Sequence, residues 1–218
     1  SADKSYEVYQ FDKKDTLNLL NAASASLTGK DYPSAIKYYE KLKKINYSGK
    51  GIVFYATNKK TKVEEPFISR SARESNLAAG FYEKPRDFWP PSKKEEIISS
   101  LAFSYLETKD YPSAERYYEE GLQLNPNCID CYINLAYVKI QLKKVLVDKM
   151  ALLGNTPSEM KEYDKLDAQK DEIVKSAIPY LKKALVIEPK NEDAFKSLLG
   201  IYRSLDMTAE YNALKNSQ

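Results

Sequence analysis

The sequence predicts an all-α fold: an α-solenoid of about three to four helix pairs, interrupted by a β-hairpin-containing insertion and an extended αα-hairpin arm. Three observations carry this. The hexapeptide KDYPSA occurs twice unchanged, at Lys30–Ala35 and Lys109–Ala114. Each copy runs into an amphipathic segment, and small residues recur at helical spacing in the segment before it. The copies lie 79 residues apart, more than two repeat periods of ~34 residues, so extra chain has been inserted between them.

Repeat 1 covers 14–47. Its first helix carries Leu19 and the pair Ala22-Ala23; its second carries Ala35, Tyr39 and Leu42, spaced four then three along one helix face. Small residues let two helices approach closely, and the tyrosines fill the space beside them. The insertion, 48–91, opens with a β-rich run at 51–57, turns at Asn58–Thr61 and returns as a second strand over Lys62–Phe67. A lone hairpin is marginal in water, so it is expected to pack on the solenoid. A short helix near Ala72–Ala79 follows, then an aromatic stretch containing Phe81, Tyr82, Phe88 and Trp89. Two readings apply to that stretch: a surface for stacking a ligand or docking a partner, or a seal on the solenoid flank.

Repeat 2, 92–127, starts with a capping box of Ser92 and Glu95. It places Ile98 before Leu101-Ala102, then Ala114, Tyr118 and Gly121, and stops at Pro126. Repeat 3, 128–190, has Tyr132 before Leu135-Ala136, then Ala177, Leu181 and Ala184, and stops at Pro189. Those prolines are 63 residues apart, so both helices are lengthened into an arm, from about Tyr132 to Leu153 and from Thr156 to Ile187. Thr156-Pro157-Ser158-Glu159 reads as a helix start. Met160, Tyr163, Leu166 and Ile173 are spaced to face Leu146, Met150 and Leu153, and Pro179 bends the second helix. Residues 191–218 close the array as C-terminal capping helices.

Composition narrows the function. Of 218 residues, 43% are hydrophobic and 30% charged, with a net charge of +3 and no concentrated basic patch, so no nucleic-acid partner is expected. No apolar run approaches the ~18–20 residues of a membrane span. Histidine is absent, which removes the commonest general base and metal ligand. No phosphate-cradling glycine loop is present, and no cofactor or metal is expected. Carboxylates such as Glu64, Glu65 and Asp87 are the remaining catalytic candidates, and nothing in their spacing requires them to pair. Cys128 and Cys131 form C-x-x-C at a helix start, read as buried thiols or a local disulfide. The redox alternative lacks its βαβ context, and zinc lacks two further ligands.

The bulky residue, Leu-small pair, Ala, aromatic, small residue and proline resemble the tetratricopeptide repeat (TPR) family, with Ala where the family usually has Gly. The resemblance implies a right-handed solenoid whose concave groove is lined by the first helix of each pair. That lining falls on Leu20, Ser24 and Leu27, then Ser99, Phe103 and Leu106, then Ile133, Tyr137 and Ile140. The Lys and Asn clamp with which TPR adaptors hold chaperone tails is missing at the matching positions, so the groove is expected to be apolar. KDTLNLLNAA (Lys14–Ala23), YATNKKTKVEEPF (Tyr55–Phe67), PSKKEEI (Pro91–Ile97) and the terminal stretch Ala177–Lys215 further resemble exported TPR proteins of Gram-negative bacteria. That resemblance implies a periplasmic or cell-envelope location and a removed targeting segment or preceding repeats, in keeping with a start at Ser1. The function expected is a non-catalytic protein–protein interaction scaffold with a protein or peptide partner, a subunit of a larger assembly. The alternative is a glycan-binding module of a nutrient-uptake system, favoured by 18 tyrosines and the Phe88-Trp89 pair.

Overall fold

The computed structural model describes residues 2–11, 16–49 and 51–217. The start of repeat 1 at residues 14 and 15 lies outside the described residues. The described elements are α1 (Ala2–Phe11), α2 (Thr16–Thr28), α3 (Tyr32–Lys44), β1 (Val53–Asn58), β2 (Glu64–Phe67), α4 (Arg70–Ala78), β3 (Tyr82–Phe88), α5 (Lys94–Glu107), α6 (Tyr111–Leu124), α7 (Ile129–Met150), α8 (Pro157–Ile187), α9 (Glu192–Ser204) and α10 (Thr208–Lys215). The helices form a right-handed α-solenoid in which α2/α3, α5/α6, α7/α8 and α9/α10 are the pairs.

The two KDYPSA copies build the same turn. Lys30 and Lys109 take left-handed backbone, φ 60° and 62°. The next N–H, of Asp31 or Asp110, returns to the carbonyl of Ser26 or Tyr105 at 2.9 Å. The aspartate side chain then caps the following helix by accepting from Ser34 or Ser113 N–H at 3.2 Å. Proline in the first turn of that helix loses no hydrogen bond, because the first-turn N–H groups have no helical acceptor.

Ala22, Ala23, Ala102, Ala114, Ala177 and Ala184 are fully enclosed between helices. Leu19, Leu101, Leu135 and Leu181 are buried as well, each worth about 2 kcal/mol of apolar burial. The core divides into two adjoining clusters, one under α2–α7 and one under α7–α10, and Tyr180 packs against both. Helix α1, which no repeat motif marks, adds Tyr6 and Tyr9 to the first cluster. The Tyr6 ring lies 4.4 Å from that of Tyr38, and Lys41 donates to its hydroxyl at 2.5 Å.

Three expectations are corrected. Among the described residues the hairpin rests mainly within its own insertion and not on the solenoid: β3 completes an antiparallel sheet in the order β2-β1-β3, and α4 covers one face of it. The third strand and α4 supply the support a two-stranded hairpin lacks. The Ser92–Glu95 capping box is not formed. Helix α5 begins at Lys94, whose own N–H reaches Ser92 Oγ at 3.2 Å, while Glu95 accepts from Asn125 at 2.8 Å. In the arm, Met150 and Leu166 are buried, but Met160 and Tyr163 stay largely exposed. Far from the solenoid each arm helix has one neighbour, so a single seam is all it can bury. The Thr156–Glu159 capping box at the head of α8 forms as expected.

Candidate partner-binding groove

Helices α2, α5 and α7 supply the concave side, and the residues expected to line it divide by burial. Leu20 and Leu106 are each 7% exposed and turn into the core. Ser24 lies within 3.3 Å of the Tyr39 hydroxyl. Leu27 packs on the first core cluster, Ile133 and Ile140 on the second, and Ser99 is half-buried. Phe103, 40% exposed, and Tyr137, 46% exposed, remain open to solvent.

The KDY tyrosines complete the surface, and the helix-face reading missed them because they lie at the turn. Tyr32 meets Phe103 edge-on, with centroids 6.0 Å apart at 76°. Burial, and then a hydrogen bond to the Glu107 carboxylate, push its hydroxyl pKa up. Tyr111, the matching residue one repeat on, stands beside Tyr137 and Gln141, which match Phe103 and Glu107 in the repeat. At this second junction a cleft of about 740 Å³ opens between the α5–α6 turn (Leu106, Glu107, Lys109, Tyr111, Pro112) and α7. The α7 wall reaches past Tyr137 to Leu142, Lys144, Val145 and Asp148, because that helix has 22 residues against 14 in α5. Turn and arm overhang make a trough of mixed character, in which Tyr111, Tyr137, Leu142 and Val145 stand among two lysines, two carboxylates and Gln141, so the groove is less apolar than expected. The duplicated tyrosine was the signal in the sequence that pointed to it.

The insertion aromatics do not form one surface. Residues opposite one another in an antiparallel pair share a face. Tyr82 pairs with Asn58 and Phe88 with Val53, placing the two on opposite faces of the sheet. Tyr82 lies on the face covered by α4, donates to Glu65 at 2.5 Å and meets Phe67 edge-on. Phe88 lies on the open face, and Phe81 and Trp89 flank the ends of β3, each 65% exposed.

The catalytic candidates are each engaged with a neighbour. Glu64 binds Arg86 through both oxygens at 2.9 and 2.7 Å, which holds its carboxyl below the usual range. Asp87 pairs with Arg70 and with buried Arg73, both at 2.5 Å, and Glu65 accepts from Tyr82. Among the described residues no group of three or more Cys, Asp or Glu is placed to hold a metal. Cys128 and Cys131 are joined in a disulfide, with Cys131 buried. A Cβ at Gly121 of α6 would stand 3.2 Å from the Cys131 sulfur, so glycine there leaves the room the bridge occupies.

Residues 96–128, which hold most of α5 and all of α6, match the tetratricopeptide-repeat family TPR_2. Among solved structures the chain is similar to MamA at 14% identity, over 98% of this chain and 83% of that one, with a TM-score of 0.54. It is also similar to a thermophilic TPR protein of Thermus thermophilus at 12% identity, over 91% and 70% of the two chains, with a TM-score of 0.47. A third similar structure is the first TPR domain of Spaghetti (RPAP3) bound to an HSP90 peptide, at 15% identity over 89% and 96%, with a TM-score of 0.46. Among curated proteins no sequence matches the chain.

Proposed function

We propose that this TPR solenoid is an interaction scaffold that holds a protein or peptide segment in its concave groove, within the cell envelope and as a subunit of a larger assembly. The observation that carries the reading is the contrast between the two inter-repeat junctions. At the first, Tyr32 closes on Phe103 and Glu107. At the second, the equivalent residues Tyr111, Tyr137 and Gln141 stand around an open cleft with exposed Tyr137 and Val145 on its wall. Tyrosines are enriched among binding hot spots, and hydrophobic side chains left uncovered in a concavity are what ligand clefts are lined with. Lys109, Lys144, Glu107 and Asp148 supply polar contacts that would fix the orientation of a bound chain. The envelope location is supported by the resemblance to exported TPR proteins and by the Cys128–Cys131 disulfide, a bond that oxidising compartments maintain.

The test is cross-linking in native envelope fractions, followed by capture of the chain and mass spectrometry. The expected result is one reproducible protein partner, lost when Tyr137 and Val145 are both changed to Glu and retained when exposed Lys196 of α9, a helix that packs on α8 and α10, is changed to Glu. A partner that stays bound to the Tyr137→Glu/Val145→Glu chain moves the interface out of the groove. A chain captured alone under several cross-linkers removes the scaffold reading.

A further inference from the structure

The insertion sheet has two unlike faces. Ala56, Phe54, Phe67 and Tyr82 occupy the face under α4, and Arg73 of α4 reaches onto it over the Phe54 ring. The other face carries Val53, Tyr55 and Thr57 from the central strand, Pro66 and Glu64 from β2, and Glu83, Arg86 and Phe88 from β3. No helix covers it. Phe88 and Pro66 are exposed, and the Arg86 guanidinium lies 4.8 Å over the Tyr55 ring and 5.7 Å over that of Phe88. The sheet edges are poor templates for an added strand, since Pro66 interrupts β2 and Pro85 interrupts β3.

The charges on the open face form a pattern. Two ion pairs straddle β1 with opposite polarity: Lys62 on the β2 side meets Glu83 on the β3 side at 3.2 Å, and Glu64 on the β2 side meets Arg86 on the β3 side at 2.7 Å. The four charges therefore read plus, minus on one flank and minus, plus on the other. A two-fold axis lying in the plane of this face, along β1 or across it, brings every one of them onto its opposite in the second copy. A face that is apolar along its centre and complementary to itself around it meets the requirement of an isologous interface.

We propose that the open face of the insertion sheet docks against the same face of a second copy of this chain. This does not depend on the groove reading. Three strands ~4.8 Å apart and about six residues long present roughly 300 Å², well under the ~800 Å² per partner of a standard interface. The dimer is accordingly a weak one.

Sedimentation equilibrium of the whole chain, from about 10 μM to about 1 mM, spans the affinity expected of so small a contact. A monomer–dimer equilibrium is expected, and Tyr55→Ser with Phe88→Ser raises its Kd at least about tenfold while thermal unfolding of the solenoid is unchanged. A second variant reverses all four charges together (Lys62→Glu, Glu64→Arg, Glu83→Lys, Arg86→Glu). It keeps both intrachain pairs and matches itself, but sets like charges against the wild-type face. Mixed with wild type in an energy-transfer experiment, it is expected to form homodimers and to exclude hybrids. A monomer throughout the range overturns the proposal and leaves the face to a different protein. A dimer indifferent to the Tyr55 and Phe88 changes, or hybrids as frequent as homodimers, overturns it by placing the contact elsewhere.

Discussion

The phenol rings of Tyr105 and Tyr117 lie nearly parallel, 11° apart with centroids separated by 5.5 Å, and both hydroxyls donate to the same oxygen of Glu40. Tyr105 belongs to α5, Tyr117 to α6 and Glu40 to α3, so one carboxylate ties two repeats together. Lys43 completes the arrangement, 4.4 Å over the Tyr117 ring and 2.6 Å from Glu120. Changing Glu40 to Ala leaves two partly buried hydroxyls without their acceptor, at a cost of about 2 kcal/mol. For a chain of this size that lowers Tm by roughly 4–8 °C, readable by calorimetry.

The same pair sets an alkaline limit. Burial first, then the hydrogen bond to Glu40, push Tyr105 up to about 12 and raise Tyr117 as well. In the unfolded chain a tyrosine titrates near ~10. The folded state thus holds protons that the unfolded state has released, and stability present below pH ~10 is lost as pH rises toward ~12. Absorbance titration at alkaline pH is expected to show late-titrating tyrosines, fewer of them in Glu40→Ala. Stability that is flat across that window would contradict the assignment.

The duplicated turn gives a matched pair of tests. Asp31→Ala and Asp110→Ala each remove one helix cap and are expected to cost about 1 kcal/mol, nearly equal because the geometry is the same. Lys30→Gly and Lys109→Gly relieve left-handed backbone at a residue bearing a Cβ and are expected to gain about 0.5 kcal/mol. Urea unfolding of the four variants measures both signs.

Arg73 holds α4 to the sheet through Asp87, and its guanidinium lies 5.5 Å from the Phe54 ring. Arg73→Ala strips a largely buried carboxylate of one of its two arginines and loosens the insertion locally. Hydrogen exchange is expected to quicken roughly tenfold or more across 53–88 while α5 and α6 keep their protection. Equal loss in the solenoid helices would show that the two parts unfold together.

Where the second repeat meets the third, Gly121→Ala presses a methyl onto the Cys131 sulfur and is expected to cost about 1–2 kcal/mol. Reduction of the bridge, which closes a very short loop, removes about 2 kcal/mol on the chain-entropy estimate. In the reduced protein the sulfur can shift, so the Gly121→Ala penalty should shrink. Thermal melts of both chains with and without reductant make the comparison.

The repeat architecture was legible because its markers are local: a turn hexapeptide, small residues at helical spacing, and a proline after two of the pairs, at Pro126 and Pro189. Helix α1 carries none of them, and its place depends on Tyr6 finding Tyr38 and Lys41, which no periodicity announces. Strand β3 was hidden for two physical reasons. Pro85 argues against a strand, which is sound for a central one and not for an edge. A register shift in its pairing with β1 between Tyr55 and Thr57, where Lys84 adopts φ 52°, breaks the alternation a strand would show. In the groove, Phe103 and Tyr137 followed from helix position, but Leu20 and Leu106 at neighbouring positions sit a little further round and are buried. The cleft wall beyond Tyr137 arises only because α7 overshoots its neighbour, a fact of helix length that residue spacing within one repeat does not contain.

The chain leaves the solenoid at Ser48 and is back at Lys93, whose N–H donates to the Ser48 carbonyl at 2.9 Å. Seen from the helices, then, the 44 residues between those two span no distance at all. Domain insertions are tolerated at such places, and the unit behaves as a cassette. A two- or three-residue bridge from Ser48 to Lys93 could replace it without moving α3 against α5, and the excised piece could be grafted wherever two chain ends lie a hydrogen bond apart.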